Sequence, residues 1–270
     1  MVIPSNRKFK SEMKVVILAG GLGTRLMEET EARPKPMVEI GNKPILWHIM
    51  KIYAQYGFND FVLCLGYKSQ LIKEYFLNYY LYNSDMTIEL EKNKIDVHFS
   101  NSESFKVTLV DTGLATNTAG RIKRIKKYVQ NQTFMLTYGD GVSNVDINKL
   151  LAFHKAHGKI ATLTTVQTPG RFGHLEIDTD GAVKHFVEKP TGDGMWINAG
   201  FFVLEPEIFD YLKGDMDDVQ WEKQPLIDIA NDQKLVAYKH YGFWKPMDAL
   251  RDRIELENLW SSDNAPWKIW

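Results

Sequence analysis

The chain has 270 residues, 44% of them hydrophobic and 25% charged, which is the composition of an ordinary folded α/β-sized domain. A net charge of −1 offers no electrostatic footprint for nucleic acid or an acidic membrane, and no apolar run reaches the ~20 residues that span a bilayer. The single cysteine, Cys64, cannot form an intrachain disulfide, and its place in the apolar run Phe61–Leu65 reads as a buried strand residue, not a nucleophile.

Residues 1–12 are polar, carry Arg7, Lys8 and Lys10, and lack the apolar stretch of a secretory signal. They are expected to be a flexible leader before a single domain over residues 13–270, located in a reducing cytoplasm. Val15–Leu18 reads as a short buried strand that runs into a glycine-rich loop. Pro44 opens a helix with Ile45, Ile49, Ile52, Tyr53 and Tyr56 at helical spacing, and Gly57 ends it. Phe61–Leu65 is a second buried strand, followed by an amphipathic helix from Ser69 to about Tyr80.

Met86, Ile88 and Leu90 alternate with polar residues, as do Ile95, Val97 and Phe99, with Lys92-Asn93-Lys94 between them, which predicts a hairpin. Lys106–Val110 reads as a strand, Gly120–Val129 as a basic-faced helix, Phe134–Tyr138 as a strand, Asp146–His157 as a helix and Ile160–Val166 as a strand. Leu175–Ile177 and Val183–Val187 flank the turn dipeptide Asp180-Gly181. Trp196–Leu204 and Leu235–His240 are β-rich, and a helix closes the chain from about Ala249 to Trp260. This alternation predicts an α/β fold: a Rossmann-like mixed, mostly parallel sheet with helices on both faces and added β-hairpins.

The chemistry begins in the first loop. Gly20, Gly21 and Gly23 lack Cβ atoms, so backbone N–H groups can crowd around anionic oxygens, and Arg25 and Lys35 (in Pro34-Lys35-Pro36) add positive charge. The loop fails the dinucleotide template, with Leu26 at the third glycine position, and it lacks the Gly-Lys-Ser/Thr of a P-loop. A phosphate cradle and a purely structural turn remain, and three glycines with an arginine and a proline-bracketed lysine favour the cradle. Asp140, in Tyr138-Gly139-Asp140-Gly141, follows a strand at the edge where open α/β sheets bind ligands. Beside a triphosphate it is a candidate Mg²⁺ ligand, because Mg²⁺ takes one or two carboxylates plus phosphate oxygens. Asp248, just before the last helix, reads by itself as that helix's N-cap. Asp111–Arg121 reads as a polar loop entering a helix. His154 and His157 lack accompanying metal ligands and are expected on a surface helix face.

Ala19-Gly20-Gly21-Leu22-Gly23-Thr24-Arg25-Leu26, with Thr30, Pro34-Lys35-Pro36-Met37 and Pro44-Ile45-Leu46, resembles the signature of the sugar-1-phosphate nucleotidyltransferases. The resemblance implies the nucleotide-diphospho-sugar transferase type of fold. It implies that Leu18, Ala19, Gly20, Gly21, Leu22, Gly23, Thr24 and Gly139 hold a nucleoside triphosphate, while Arg25 and Lys35 neutralise its phosphates and the leaving pyrophosphate. Asp140 and Asp248 match the Mg²⁺ ligands. Glu188 and Lys189, in Glu188-Lys189-Pro190, match the sugar-phosphate motif, and Asn198 resembles a sugar-side residue.

Asp111–Arg121 lacks the glutamine-proline-glycine-leucine-alanine pattern of thymidylyl- and uridylyl-transferring members. It is similar instead to the cytidylyl-transferring branch, as are Pro169-Gly170-Arg171-Phe172-Gly173 and Ala265-Pro266-Trp267-Lys268. That likeness implies CTP and glucose 1-phosphate as substrates, with Thr116 and Arg121 at the CTP and CDP-glucose and pyrophosphate as products. The same transfer with dTTP, UTP or GTP is an alternative, as is a non-catalytic nucleotide-sugar-binding regulatory subunit. Lys35, Asp140, Lys189 and Asp248 are all present, which counts against the latter. The family association also implies a homo-oligomer, such as a hexamer.

Overall fold

Seven strands form one mixed sheet, in the order Leu235–Lys239, Ala161–Val166, Ile197–Leu204, Phe134–Tyr138, Lys14–Ala19, Asp60–Leu65 and Lys106–Asp111. They belong to a computed structural model that describes residues 13–167, 174–187 and 195–270. Lys14–Ala19 lies between Phe134–Tyr138 and Asp60–Leu65 and runs parallel to both. Ile197–Leu204 is antiparallel to both of its neighbours, while the outer pairings are parallel.

The continuous apolar runs explain the burial. A strand covered on both faces needs no polar alternation, and successive side chains of Val15-Val16-Ile17-Leu18 feed opposite cores. Val15, Ile17, Phe61 and Leu63 pack with Ile45, Ile49 and Ile52 of the helix Ile45–Gln55. Val16, Leu18, Val62 and Cys64 pack with Ile122, Ile125 and Trp221 on the other face. Burial pushes the Cys64 thiol up to about 12, so it is an inert core residue, as its surroundings in the sequence suggest.

The two expected hairpins form, as Ser84–Glu89 with Lys94–Ser100 and His174–Ile177 with Val183–Val187. The expected helix over Gly120–Val129 differs: it divides into Thr118–Arg124 and Lys126–Val129, because Ile125 (φ −93°, ψ 3°) leaves helical geometry. The expectation for His154 is also corrected. It is 1% exposed, its Nε2 lying 2.9 Å from Glu205 Oε1 and its Nδ1 2.8 Å from Thr162 Oγ1.

Candidate active site

Parallel strands place their carboxyl ends on one edge, and two of them build the cleft floor there. Lys14–Ala19 delivers the glycine loop and Phe134–Tyr138 delivers Gly139 and Asp140, with Gly139 N–H donating to Leu18 O at 3.0 Å. The cleft has a volume of about 320 Å³. Of the residues expected from sequence, Leu18, Ala19, Gly20, Gly21, Gly23, Thr24, Lys35, Thr116, Arg121, Gly139, Asp140 and Asp248 all line it.

Asp248 reaches Asp140 through a small ribbon. Trp244–Pro246 pairs antiparallel with Gly141–Ser143, and Met247 N–H donates to Asp140 O at 2.8 Å. The cap reading for Asp248 is set aside by geometry: the last helix spans Leu250–Ser261, and Asp252 Oδ2 accepts the N–H groups of Asp248 and Ala249 at 3.1 and 2.9 Å. The Asp248 carboxylate instead faces Lys35. Lys35 leaves a 3-10 turn, Lys35–Met37, entered through Pro34 in extended geometry. Its Nζ lies 2.7 Å from Asp140 Oδ2 and 2.7 Å from Asp248 Oδ1. Burial opposes the ammonium charge, but the two carboxylates outweigh it and hold Lys35 above the usual lysine range.

Among the described residues, no group of three or more His, Cys, Asp or Glu side chains could hold a metal ion. Two carboxylates already converge on one cation in a cleft open to a substrate. This oxygen-only, incomplete set fits a hard divalent cation that completes its shell with phosphate oxygens and water.

Arg121 lies deeper than a solvated helix arginine, at 4% exposure. Its Nη1 donates to Leu65 O (3.0 Å), Thr112 Oγ1 (2.8 Å) and Gly113 O (2.8 Å), and its Nη2 to Gly20 O (2.9 Å). The guanidinium thus ties the glycine loop to the ends of the next two strands. It also explains Gly20, since a Cβ there would lie 2.2 Å from Arg121 Nη1. Gly20 is therefore required by the arginine beneath it, whereas Gly21, with no atom within 4 Å of a Cβ, borders open space.

The remaining expected residues are less central or undescribed. Leu22 is 54% exposed and Asn198 is exposed, and neither lines the cleft. Arg25 falls in the 3-10 turn Thr24–Leu26, and its side chain lies outside what the structure describes. Glu188 and Lys189, with Pro169–Gly173, also lie outside the described residues. Sequence reasoning missed Pro36, Asn117, Thr118 and Tyr138 as lining residues. Tyr138 was discoverable from its position immediately before Gly139-Asp140, and Thr118 from the start of the basic helix. The Tyr138 phenol donates to Glu222 Oε1 at 2.7 Å, and burial together with that carboxylate raises its pKa, keeping it protonated.

Comparison with known proteins adds an independent line. Residues 14–252 match the family model described as Nucleotidyl transferase. The chain is 55% identical over 259 residues to the glucose-1-phosphate cytidylyltransferase of Salmonella typhi, covering 96% of this chain and 100% of that one. It is 45% identical over 258 residues to a probable glucose-1-phosphate cytidylyltransferase of Bacillus subtilis, with 96% and 100% coverage. Among solved structures, HddC from Yersinia pseudotuberculosis complexed with GMP-PN superposes with a TM-score of 0.66 at 25% identity, covering 92% of this chain and 99% of that one.

Proposed function

We propose, because the chain belongs to the nucleotidyl transferase family, that it transfers the cytidylyl group of CTP to α-D-glucose 1-phosphate, releasing CDP-glucose and pyrophosphate. The observation that carries the choice of substrates is the full-length likeness to glucose-1-phosphate cytidylyltransferases. The cleft supports the reaction class, with a glycine loop, a lysine and two carboxylates arranged around one space.

The sugar phosphate is already an anion at neutral pH, so its oxygen attacks the α-phosphorus without a general base or a covalent enzyme intermediate. Catalysis then consists of alignment opposite the departing pyrophosphate and of charge stabilisation. The backbone of Gly20–Thr24 holds the triphosphate, and Lys35 stabilises charge that builds on the reacting phosphates. Asp140 and Asp248 would hold a divalent cation, Mg²⁺ by its match to an all-oxygen set, which supplies charge neutralisation at the phosphates when bound. Arg121 acts on the nucleotide through the loop that it clamps. By resemblance, Lys189 binds the sugar phosphate and Glu188 the sugar hydroxyls.

Incubation of the purified protein with CTP, glucose 1-phosphate and Mg²⁺ tests this reading. The expected outcome is CDP-glucose and pyrophosphate in equal amounts, resolved by anion-exchange chromatography. CTP left intact, or hydrolysed without sugar transfer, would overturn it.

A further inference from the structure

Behind the cleft, one carboxylate joins its two walls. Glu222 Oε1 accepts the Tyr138 hydroxyl at 2.7 Å, and Glu222 Oε2 accepts the Thr118 hydroxyl at 2.8 Å. Tyr138 and Thr118 line the cleft, whereas Glu222 does not. Tyr138 leads directly into Gly139 and Asp140. Thr118 begins the helix Thr118–Arg124, which carries Arg121. The bridge therefore links the strand end holding a metal carboxylate to the helix holding the clamp of the glycine loop.

Each anchor is itself fixed. Trp221, beside Glu222, is fully buried, and its backbone N–H donates to Thr118 Oγ1 at 2.7 Å. The preceding backbone pairs with the helix entry, Asn117 N–H donating to Asp217 O at 2.6 Å and Ala119 N–H to Val219 O at 3.1 Å. On the other side, Asn198 Nδ2 donates to the Tyr138 oxygen at 3.2 Å. Gly200, at φ +75°, leaves room for the Tyr138 ring, since a Cβ there would lie 2.9 Å from Tyr138 Cδ2. Asn198, which the family resemblance puts on the sugar side, is here a partner of Tyr138.

We propose that Glu222 is a positioning residue for the transfer: through Tyr138 and Thr118 it sets the separation between Asp140 and the wall of the cleft formed by the helix Thr118–Arg124. The proposal rests on the nucleotidyl-transfer reading. Hydrogen bonds to an ionised acceptor are about twice as strong as neutral ones, so a carboxylate receiving two hydroxyls makes a stiff tie. Alignment is where this reaction gains its rate, and a displacement of about 1 Å costs on the order of 10²-fold.

The test compares wild type, Tyr138→Phe, Glu222→Gln and the double variant in steady-state kinetics with CTP, glucose 1-phosphate and Mg²⁺, with melting temperatures alongside. Tyr138→Phe keeps the ring and deletes one hydroxyl, so it preserves the core. The expected result is a loss of kcat of about 10- to 100-fold in each single variant, with both KM values within about threefold of wild type. The double variant should lose no more than the worse single one, because both break the same tie. Undiminished kcat in Tyr138→Phe and Glu222→Gln, a fall in melting temperature with kcat intact, or multiplicative losses in the double variant would overturn the proposal. An inactive wild type would instead contradict the reaction on which it rests.

Discussion

Lys35 Nζ and Asp140 Oδ2 lie 2.7 Å apart, although the two residues are separated by 105 positions in the chain. The same ammonium meets Asp248 Oδ1 at 2.7 Å, 213 positions from Lys35. Three distant segments therefore close on one cationic point at the mouth of the glycine loop. A lysine between two carboxylates is a sensible arrangement for a site that must also accept a metal ion and a triphosphate.

Replacing Lys35 by alanine removes the cation from this point while leaving the sheet and both cores untouched. The expected loss in kcat is about 10²- to 10³-fold, the usual effect of deleting one charge-stabilising donor. Pyrophosphate release under saturating substrates measures it. A near-normal rate in the folded variant would remove Lys35 from the catalytic machinery.

Asp140→Asn and Asp248→Asn should each abolish most turnover and weaken metal binding. Calorimetric titration with Mg²⁺ or Mn²⁺ in the presence of CTP provides a readout separate from activity. Chelation of divalent cations should stop the wild-type reaction, and added Mg²⁺ should restore it. Turnover that persists in excess chelator would contradict the assignment of the two aspartates.

Arg121→Lys tests the clamp. Lysine offers three donors from a single point, whereas the guanidinium reaches acceptors on the Gly20, Leu65, Thr112 and Gly113 residues at once. Loss of charged hydrogen bonds at a buried site costs about 2–4 kcal/mol. At roughly 2–4 °C per kcal/mol for a domain of this size, the melting temperature should fall by about 5–15 °C. The KM for the nucleotide should rise with it, because the glycine loop loses its floor. An unchanged melting temperature would show that the contacts to the clamp carry no stability.

His48 gives a pH signature of the fold. It is fully buried; its Nε2 donates to Ile40 O at 2.8 Å, and its Nδ1 accepts the Trp267 indole N–H at 3.3 Å. Burial, helped by the Lys43 charge, lowers its pKa from 6.5 to about 4 despite the bond to Ile40. The unfolded chain therefore binds the proton more readily. The contribution is complete above pH 6.5 and is lost as pH falls through 4, an effect of about 3 kcal/mol. Urea unfolding of wild type and His48→Asn across this window should show a shallower pH slope in the variant. Equal slopes would refute the buried neutral imidazole.

The fold was largely legible because its strands are unbroken apolar runs and its longer helices carry clear periodicity. The 3-10 segment Pro206–Tyr211 and the ribbon that places Asp248 are short, and short elements leave no readable period. The site was legible where residues cluster in sequence, as in the glycine loop and at Gly139-Asp140. The pairing of Asp248 with Asp140 came from resemblance, since 108 residues separate them by number. The tie between Glu222 and Tyr138 was invisible, because nothing local in Trp221-Glu222-Lys223 points to a hydroxyl in a distant strand. The role of Arg121 also needed the fold: its partners are mostly backbone carbonyls, which every sequence contains.

The most direct measurement is pyrophosphate release by wild-type protein with glucose 1-phosphate and Mg²⁺, comparing kcat/KM for CTP, UTP, dTTP and GTP. The account predicts a clear preference for CTP, with CDP-glucose as the matching product. Comparable or faster turnover with another triphosphate would contradict the cytidylyl assignment, and no release with any of them would contradict the transfer itself.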